Sequence, residues 1–204
     1  MTGLRDKKKQ ATHTAIAESA ANIVLREGFD ALTVAAVADA AGVSPRTFHN
    51  YFSSLEEPLV DFIAGTFAVI AEDIRALPTG LDMLDVLERL LGDALSDDGV
   101  ELYSLSTLLA IGQAMEMQHR GPSALGADEE TARAAAAPII TAFQERFPSM
   151  DEFDILVALQ AGAGGIGHAL HIYDELGPDR TPEQGRALIA RAVRVVRGIG
   201  KLRA

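Results

Sequence analysis

The stretch Leu32-Thr33-Val34-Ala35-Ala36-Val37-Ala38-Asp39-Ala40-Ala41-Gly42-Val43-Ser44-Pro45-Arg46-Thr47-Phe48-His49-Asn50-Tyr51-Phe52 decides the fold. Val34, Val37, Ala38 and Ala41 recur at i, i+3, i+4 and i+7, one face of an α-helix, with Thr33 before them as a capping residue. Gly42 interrupts, and Ser44-Pro45 starts a second helix, because proline at the first helical position gives up an N–H that has no intrahelical partner. This helix is expected to reach about Phe52. With Phe48 turned to the core, Ser44 and Phe52 share its side, while Arg46, His49 and Asn50 project away at about 100° per residue. Two short amphipathic helices joined by a glycine-containing turn, with a longer helix in front, form the unit whose second helix enters a DNA major groove.

The longer helix is expected from about Lys7 to Glu27, on the pattern Ile16, Ala20, Ile23 and Val24, with Gly28 supplying its stop. Further helices are expected near residues 55–76, 81–95, 100–119, 128–147, 151–175 and 182–202, separated by Gly- and Pro-containing breaks. Pro138 is expected to kink or split the helix that contains it. Strand-like alternation is missing, so the fold class is all-α. The organisation is a helix-turn-helix domain at residues 1–54 and a helical domain at 55–204.

A chain of 204 residues that is 48% hydrophobic can bury a substantial core. It has no cysteine, which rules out disulfides and thiolate metal sites, and its charged N-terminus does not read as an export signal, so the expected location is cytoplasmic. Ile155 to Tyr173 lacks formal charge but contains Gln160, His168 and His171 and has acidic flanks, which argues against a membrane span. The net charge of -11 is unevenly distributed. Residues 1–55 hold six Lys/Arg against five acids, a net of +1, leaving twelve basic and twenty-four acidic residues, a net of -12, in the remainder. Only the first part can approach phosphate without strong repulsion.

On the outward side of the second short helix, Arg46 can donate bidentately to guanine and Asn50 can pair with adenine or a phosphate. His49 can meet a base edge or a thymine methyl, whereas Thr47 and Tyr51, at the flanks, suit phosphate oxygens. The plainer reading is that these polar groups merely solvate a three-helix cluster. The extended pattern from Gly28 to Phe52 favours the first reading, because it resembles the N-terminal domain of the TetR (tetracycline-repressor-like) family over about residues 10 to 60. The resemblance implies a homodimeric repressor that binds near-palindromic operator DNA and is released by a small, apolar inducer; activation in place of repression stays open. By position it implies base reading by Pro45, Arg46, His49 and Asn50 and backbone contact by Thr33, Ser44, Thr47 and Tyr51. Where the family usually reads Ser-Lys-Glu, this chain has Ser54-Leu55-Glu56, so a phosphate contact is missing; Lys7, Lys8 and Lys9 are expected to compensate from a flexible arm.

In the 151–175 helix, Leu156, Leu159, Ala163, Ile166, Leu170 and Tyr173 make a large apolar stripe, assigned to the subunit's own core. Ala158, Gly162, Gly165, Ala169 and Ile172 make a smaller one, assigned to a dimer partner. In the last helix Leu188, Ala192, Val196 and Ile199 are expected inward, with Arg191, Arg194 and Arg197 on a solvated face. The resemblance places an inducer pocket among the middle helices, where Phe62, Phe67, Met83, Tyr103, Met115, Phe143 and His168 are candidate walls, although each is also an ordinary core residue type.

The competing reading is a metal enzyme in a helical bundle, whose pattern needs Glu-x-x-His on two helices. Glu116-Met117-Gln118-His119 supplies it once, and His168, His171 and Glu175 share one helical face. With no second copy, and with no nucleophile motif or nucleotide-binding loop, the expectation is a non-enzyme without cofactor or metal.

Overall fold

The computed structural model describes residues 3–95, 102–104, 107–108, 110–111, 129–177 and 179–199. Among them the chain is helical throughout: α1 (Leu4–Glu27), α2 (Val34–Ala40), α3 (Pro45–His49), α4 (Glu57–Ala76), α5 (Met83–Ala94), α6 (Glu129–Arg146), α7 (Glu152–Glu175) and α8 (Pro182–Gly198), with a short 3-10 turn at Phe29–Ala31. Most of the helix expected over residues 100–119 lies outside the described residues. So do Met115, Glu116 and His119.

The helix boundaries follow local chemistry. Gly28 ends α1 at φ 82, a conformation that costs a side-chain-bearing residue strain. The side chains of Thr33, Ser44, Asp151 and Thr181 each accept from the backbone N–H of the third residue of the helix that follows, satisfying donors left over by the first turn. Of the two outcomes expected at Pro138, a split does not occur, because α6 is one helix from Glu129 to Arg146.

The chain divides into two compact units. The first contains the described residues of Met1–Phe67 and Thr107–Ala137. Its core is built from Ile16, Ala20 and Val24 of α1, Val37 of α2, Phe48 and Phe52, and Leu59 and Phe62 of α4. Thr66, fully buried, donates its hydroxyl to the Phe62 carbonyl at 2.9 Å and so leaves no unmade hydrogen bond.

The second unit contains the described residues of Ala68–Ser106 and Pro138–Ala204, and α7 packs there on α5 and α8. The buried line of α7 is Ile155, Gly162, Ile166, Ala169 and Tyr173. It therefore runs between the two expected stripes, taking Ile166 and Tyr173 from the large one and Gly162 and Ala169 from the small one. Ala163 is exposed, while Leu156, Leu159, Leu170, Ala158 and Ile172 are half-buried. The small residues are filled by this chain itself: a Cβ on Gly162 would sit 2.5 Å from Leu87 Cδ1, and one on Gly165 would sit 2.9 Å from Val196 Cγ2. Gly162 and Gly165 are thus approached closely by neighbours of the same chain. Periodicity reveals that two faces are covered, not which neighbour covers them.

In α8 the buried residues are Gly185, Ile189 and Val193, a face rotated from the expected one, and Ile199 is 58% exposed. Arg197 is not simply solvated, because it pairs with Asp82 at 2.7 Å and with Asp85. That pairing holds the Asp85 carboxyl below its usual range, with the Arg197 hydrogen bond as the main cause. At the other end of this unit, Arg146 of α6 donates to the carbonyls of Ile74 and Leu77, at 3.3 and 3.1 Å, and to that of Pro78, closing the C-terminus of α4.

Gly162→Ala tests this packing by sign. Helix propensity alone would stabilise the variant by about 1 kcal/mol. The collision with Leu87 predicts instead a net destabilisation of about 1 kcal/mol or more, read as a lower urea midpoint.

Candidate nucleic-acid interface

A five-residue helix has almost no stability of its own, so the geometry of α3 comes from its caps and anchors. At its start the Ser44 hydroxyl accepts from Thr47 N at 3.0 Å and lies 2.8 Å from the Thr47 hydroxyl. At its end the Tyr51 and Phe52 amides both donate to the Phe48 carbonyl, at 2.9 and 3.0 Å, so the segment expected as continuous helix to Phe52 finishes as a tight turn. In the turn before α3, Gly42 at φ 66 lets Val43 N reach the Ala38 carbonyl at 2.8 Å.

The anchors are aromatic. Phe48 is fully buried and Phe52 nearly so, with ring centroids 5.9 Å apart. Burying two phenylalanines contributes roughly 1.5 to 3 kcal/mol each, and it fixes which side of α3 faces water. Ser44, Pro45, Arg46, His49 and Asn50 are exposed, as is Thr33 at the start of α2. Thr47 and Tyr51 are half-buried, Thr47 because its hydroxyl meets Ser44. The structure thus brings the eight residues singled out around the turn to the two short helices and their ends, with the three long polar side chains facing solvent.

Lys7, Lys8 and Lys9 are also exposed, but α1 begins at Leu4 and carries them as helix. The expected flexible arm is corrected accordingly. Successive helical residues diverge by about 100°, so the three ammonium groups cannot all face one strand of phosphates.

Sequence reasoning missed His13. Its ring lies 4.6 Å from that of Phe52 and 6.1 Å from that of Tyr51, and its Nδ1 lies 3.3 Å from Asp61 Oδ2 of α4. The available signal was its position one turn ahead of Ile16 on the buried face of α1. Next to it, Glu57 accepts from Ser53 N at 2.6 Å and from the Ser53 hydroxyl, contacts that hold its carboxyl below the ordinary range.

His13, Tyr51, Phe52, Glu56, Glu57 and Asp61 help to line a cavity of about 620 Å³ in the first unit. A second cavity, of about 310 Å³, lies beside Arg75, Arg146 and Phe147 in the second unit. Neither is lined by any of the seven residues expected in an inducer pocket. Phe62, Met83 and Phe143 are core, Phe67 and Tyr103 are half-buried, and His168 is exposed on α7. Among the described residues no group of three or more metal-ligating side chains comes together; His171 lies 3.5 Å from Glu175, and His168 is not among their contacts.

A capped pair of short helices, hung on buried aromatic residues with an Arg, a His and an Asn facing water, is a helix-turn-helix domain. Residues 16–57 match the family described as bacterial regulatory proteins, tetR family. The HTH-type transcriptional regulator TcmR of Streptomyces glaucescens is 29% identical over 85 residues, 42% of this chain and 38% of TcmR, so the match spans well under half of that relative. Two solved structures share the fold over nearly the whole chain. The fatty acid degradation regulator FadR of Bacillus halodurans has a TM-score of 0.60 at 15% identity and covers 100% of both chains. A TetR-family regulator from Rhodococcus sp. has a TM-score of 0.59 at 19% identity and covers 91% of this chain and 98% of its own.

Ser44→Ala should lower stability by about 1 kcal/mol, whereas Ser44→Asp, which keeps a capping oxygen, should lose much less. Thermal unfolding of the two variants measures the difference.

Proposed function

We propose that the protein is a homodimeric, DNA-binding transcriptional regulator that reads a near-palindromic operator with α3, and that it acts as a repressor released by a small molecule. The observation that carries this reading is the exposure of Arg46, His49 and Asn50 on a helix whose opposite side is locked by Phe48. A planar guanidinium held outward on a rigid support can donate two parallel hydrogen bonds to a guanine edge, and a carboxamide can do the same for adenine. Pro45 at the tip of α3 suits close contact with a thymine methyl, while Thr33, Ser44, Thr47 and Tyr51 suit the sugar-phosphate backbone. The weakly basic first 55 residues beside a strongly acidic remainder favour approach by this end of the chain. Such a role belongs in the cytoplasm, where a bacterial chromosome is, and it needs no catalytic group, metal or cofactor.

The homodimer is supported by large apolar residues left in water on the last two helices: Phe153 is 72% exposed, Val157 48%, Val195 53% and Ile199 58%. A monomer gains nothing from that exposure, and a second copy covers it through a symmetric four-helix contact. Helix α7 is also long and apolar enough to cross a membrane by composition alone. One of its faces, however, packs on α5 and α8, as in a core helix of a soluble domain.

Selection from genomic fragments tests the function and is expected to enrich a site with dyad symmetry; enrichment of no symmetric site contradicts it. Arg46→Ala should cost about 1 to 3 kcal/mol on that site and relax preference at one position per half-site, with a much smaller loss on scrambled DNA. Phe153→Asp combined with Val195→Asp should convert the dimer to monomers in sedimentation, because each buried charge would lie in an apolar contact.

A further inference from the structure

We propose that His13 is a positioning residue for DNA reading: its ring seats the Tyr51–Phe52 end of the recognition segment on α1, and its Nδ1 edge tethers α1 to Asp61 of α4. The inference rests on the DNA-reading function proposed above and assigns that function a residue outside the helix-turn-helix. The recognition helix is too short to orient itself, so its direction follows from what its last turn packs against. One side of that turn is Phe48, buried in the core. Along α1, His13 meets both aromatic rings that follow the helix, tilted 33° to Phe52 and 60° to Tyr51. A side chain that touches the end of α3 and also faces α4 couples the reading segment to the long helix behind it.

The tether depends on charge. His13 Nδ1 is enclosed, and although it lies 3.3 Å from Asp61 Oδ2 it makes no aligned hydrogen bond. A neutral ring therefore gains little there, whereas an imidazolium gains a direct attraction to the carboxylate. Partial burial pushes the Asp61 carboxyl above its ordinary value, against the opposing pull of His13. Among the described residues the other charged or titratable groups around the ring are few. From α4 there is Glu57, already engaged by Ser53, and from the segment before it Glu56; Tyr51 brings a phenol. The described residues of α6 on the cavity wall are Thr131, Ala134 and Ala135, all uncharged, and on α1 itself Lys9 stands one turn earlier and exposed.

The sign follows directly. The tether is fully formed when His13 is protonated and Asp61 is ionised. It is lost when the imidazolium gives up its proton, and it is lost again in acid as Asp61 takes one up, earlier than an unburied aspartate would. DNA affinity is therefore greatest with both groups charged and falls when either loses its charge.

The test compares wild type, His13→Phe, His13→Ala and Asp61→Asn on the selected operator at about pH 6 and about pH 8. His13→Phe keeps the aromatic contact and loses the charge, so it should match wild type at the higher pH and lose the additional gain of about threefold at the lower one, the size expected of a partly exposed ion pair. Asp61→Asn should show the same flattened slope. His13→Ala should bind about tenfold more weakly at both values, because the ring contact itself is gone. His49 is the same in all four proteins, so its contribution cancels in the comparison. A wild-type slope in His13→Phe or Asp61→Asn, or wild-type affinity in His13→Ala, overturns the proposal. Thermal midpoints of the same proteins give a readout without DNA. If no form binds DNA while the midpoints still separate with pH, the tether stands and the DNA-reading function falls; midpoints that do not separate overturn the tether.

Discussion

Everything the protein offers to a partner at its N-terminal end depends on burying Phe48. The recognition helix contributes five residues, too few to hold a helical conformation against solvent, and Phe48 is its single fully enclosed side chain. That burial fixes the roll of the helix and, with it, the outward direction of Arg46, His49 and Asn50. The Ser44 cap and the Phe48 carbonyl, which accepts from both Tyr51 and Phe52, then fix where the helix begins and ends. Truncating such a core phenylalanine typically costs about 3 to 5 kcal/mol, a large part of the whole stability of a small domain.

Charge is unevenly distributed along the chain. Residues 1–55 carry a net of +1 and the remainder a net of -12, so the first part meets phosphate with less repulsion. Within the second unit the same acids are put to structural use: Asp82 and Asp85 hold Arg197, and Glu72 and Glu145 hold Arg75, at 2.7 to 2.8 Å where the contact is of ordinary length. These pairs lie at the surface and contribute little individually.

What the sequence makes legible depends on how local the cause is. The stops at Gly28 and Gly42 and the caps at Thr33 and Ser44 could be read directly, because each acts within three or four residues of itself. The inward side of α3 followed from the spacing of Ser44, Phe48 and Phe52. The covering of α7 could not be read the same way. Its two apolar stripes both repeat at three and four residues, and only the placement of Leu87 and Val196 shows that Gly162 and Gly165 are filled from within the chain. The flexible arm failed for a related reason, since nothing in a run of lysines announces that the preceding turn will propagate helix back to Leu4. His13 was invisible because it looks like one more residue on the buried stripe of α1, and its partners Phe52 and Asp61 lie on other elements.

The proposed function requires that the outward side of a Phe48-anchored helix read base pairs and not merely attract phosphate. A hydroxyl-radical and methylation footprint on a selected DNA fragment addresses it most directly. The expected result is two short protected tracts related by a dyad, with major-groove guanines shielded in each, on one face of the duplex and about one helical turn or a small multiple of it apart. Uniform protection that fades with salt and leaves every major-groove guanine reactive would contradict it, since a phosphate-only binder leaves that signature.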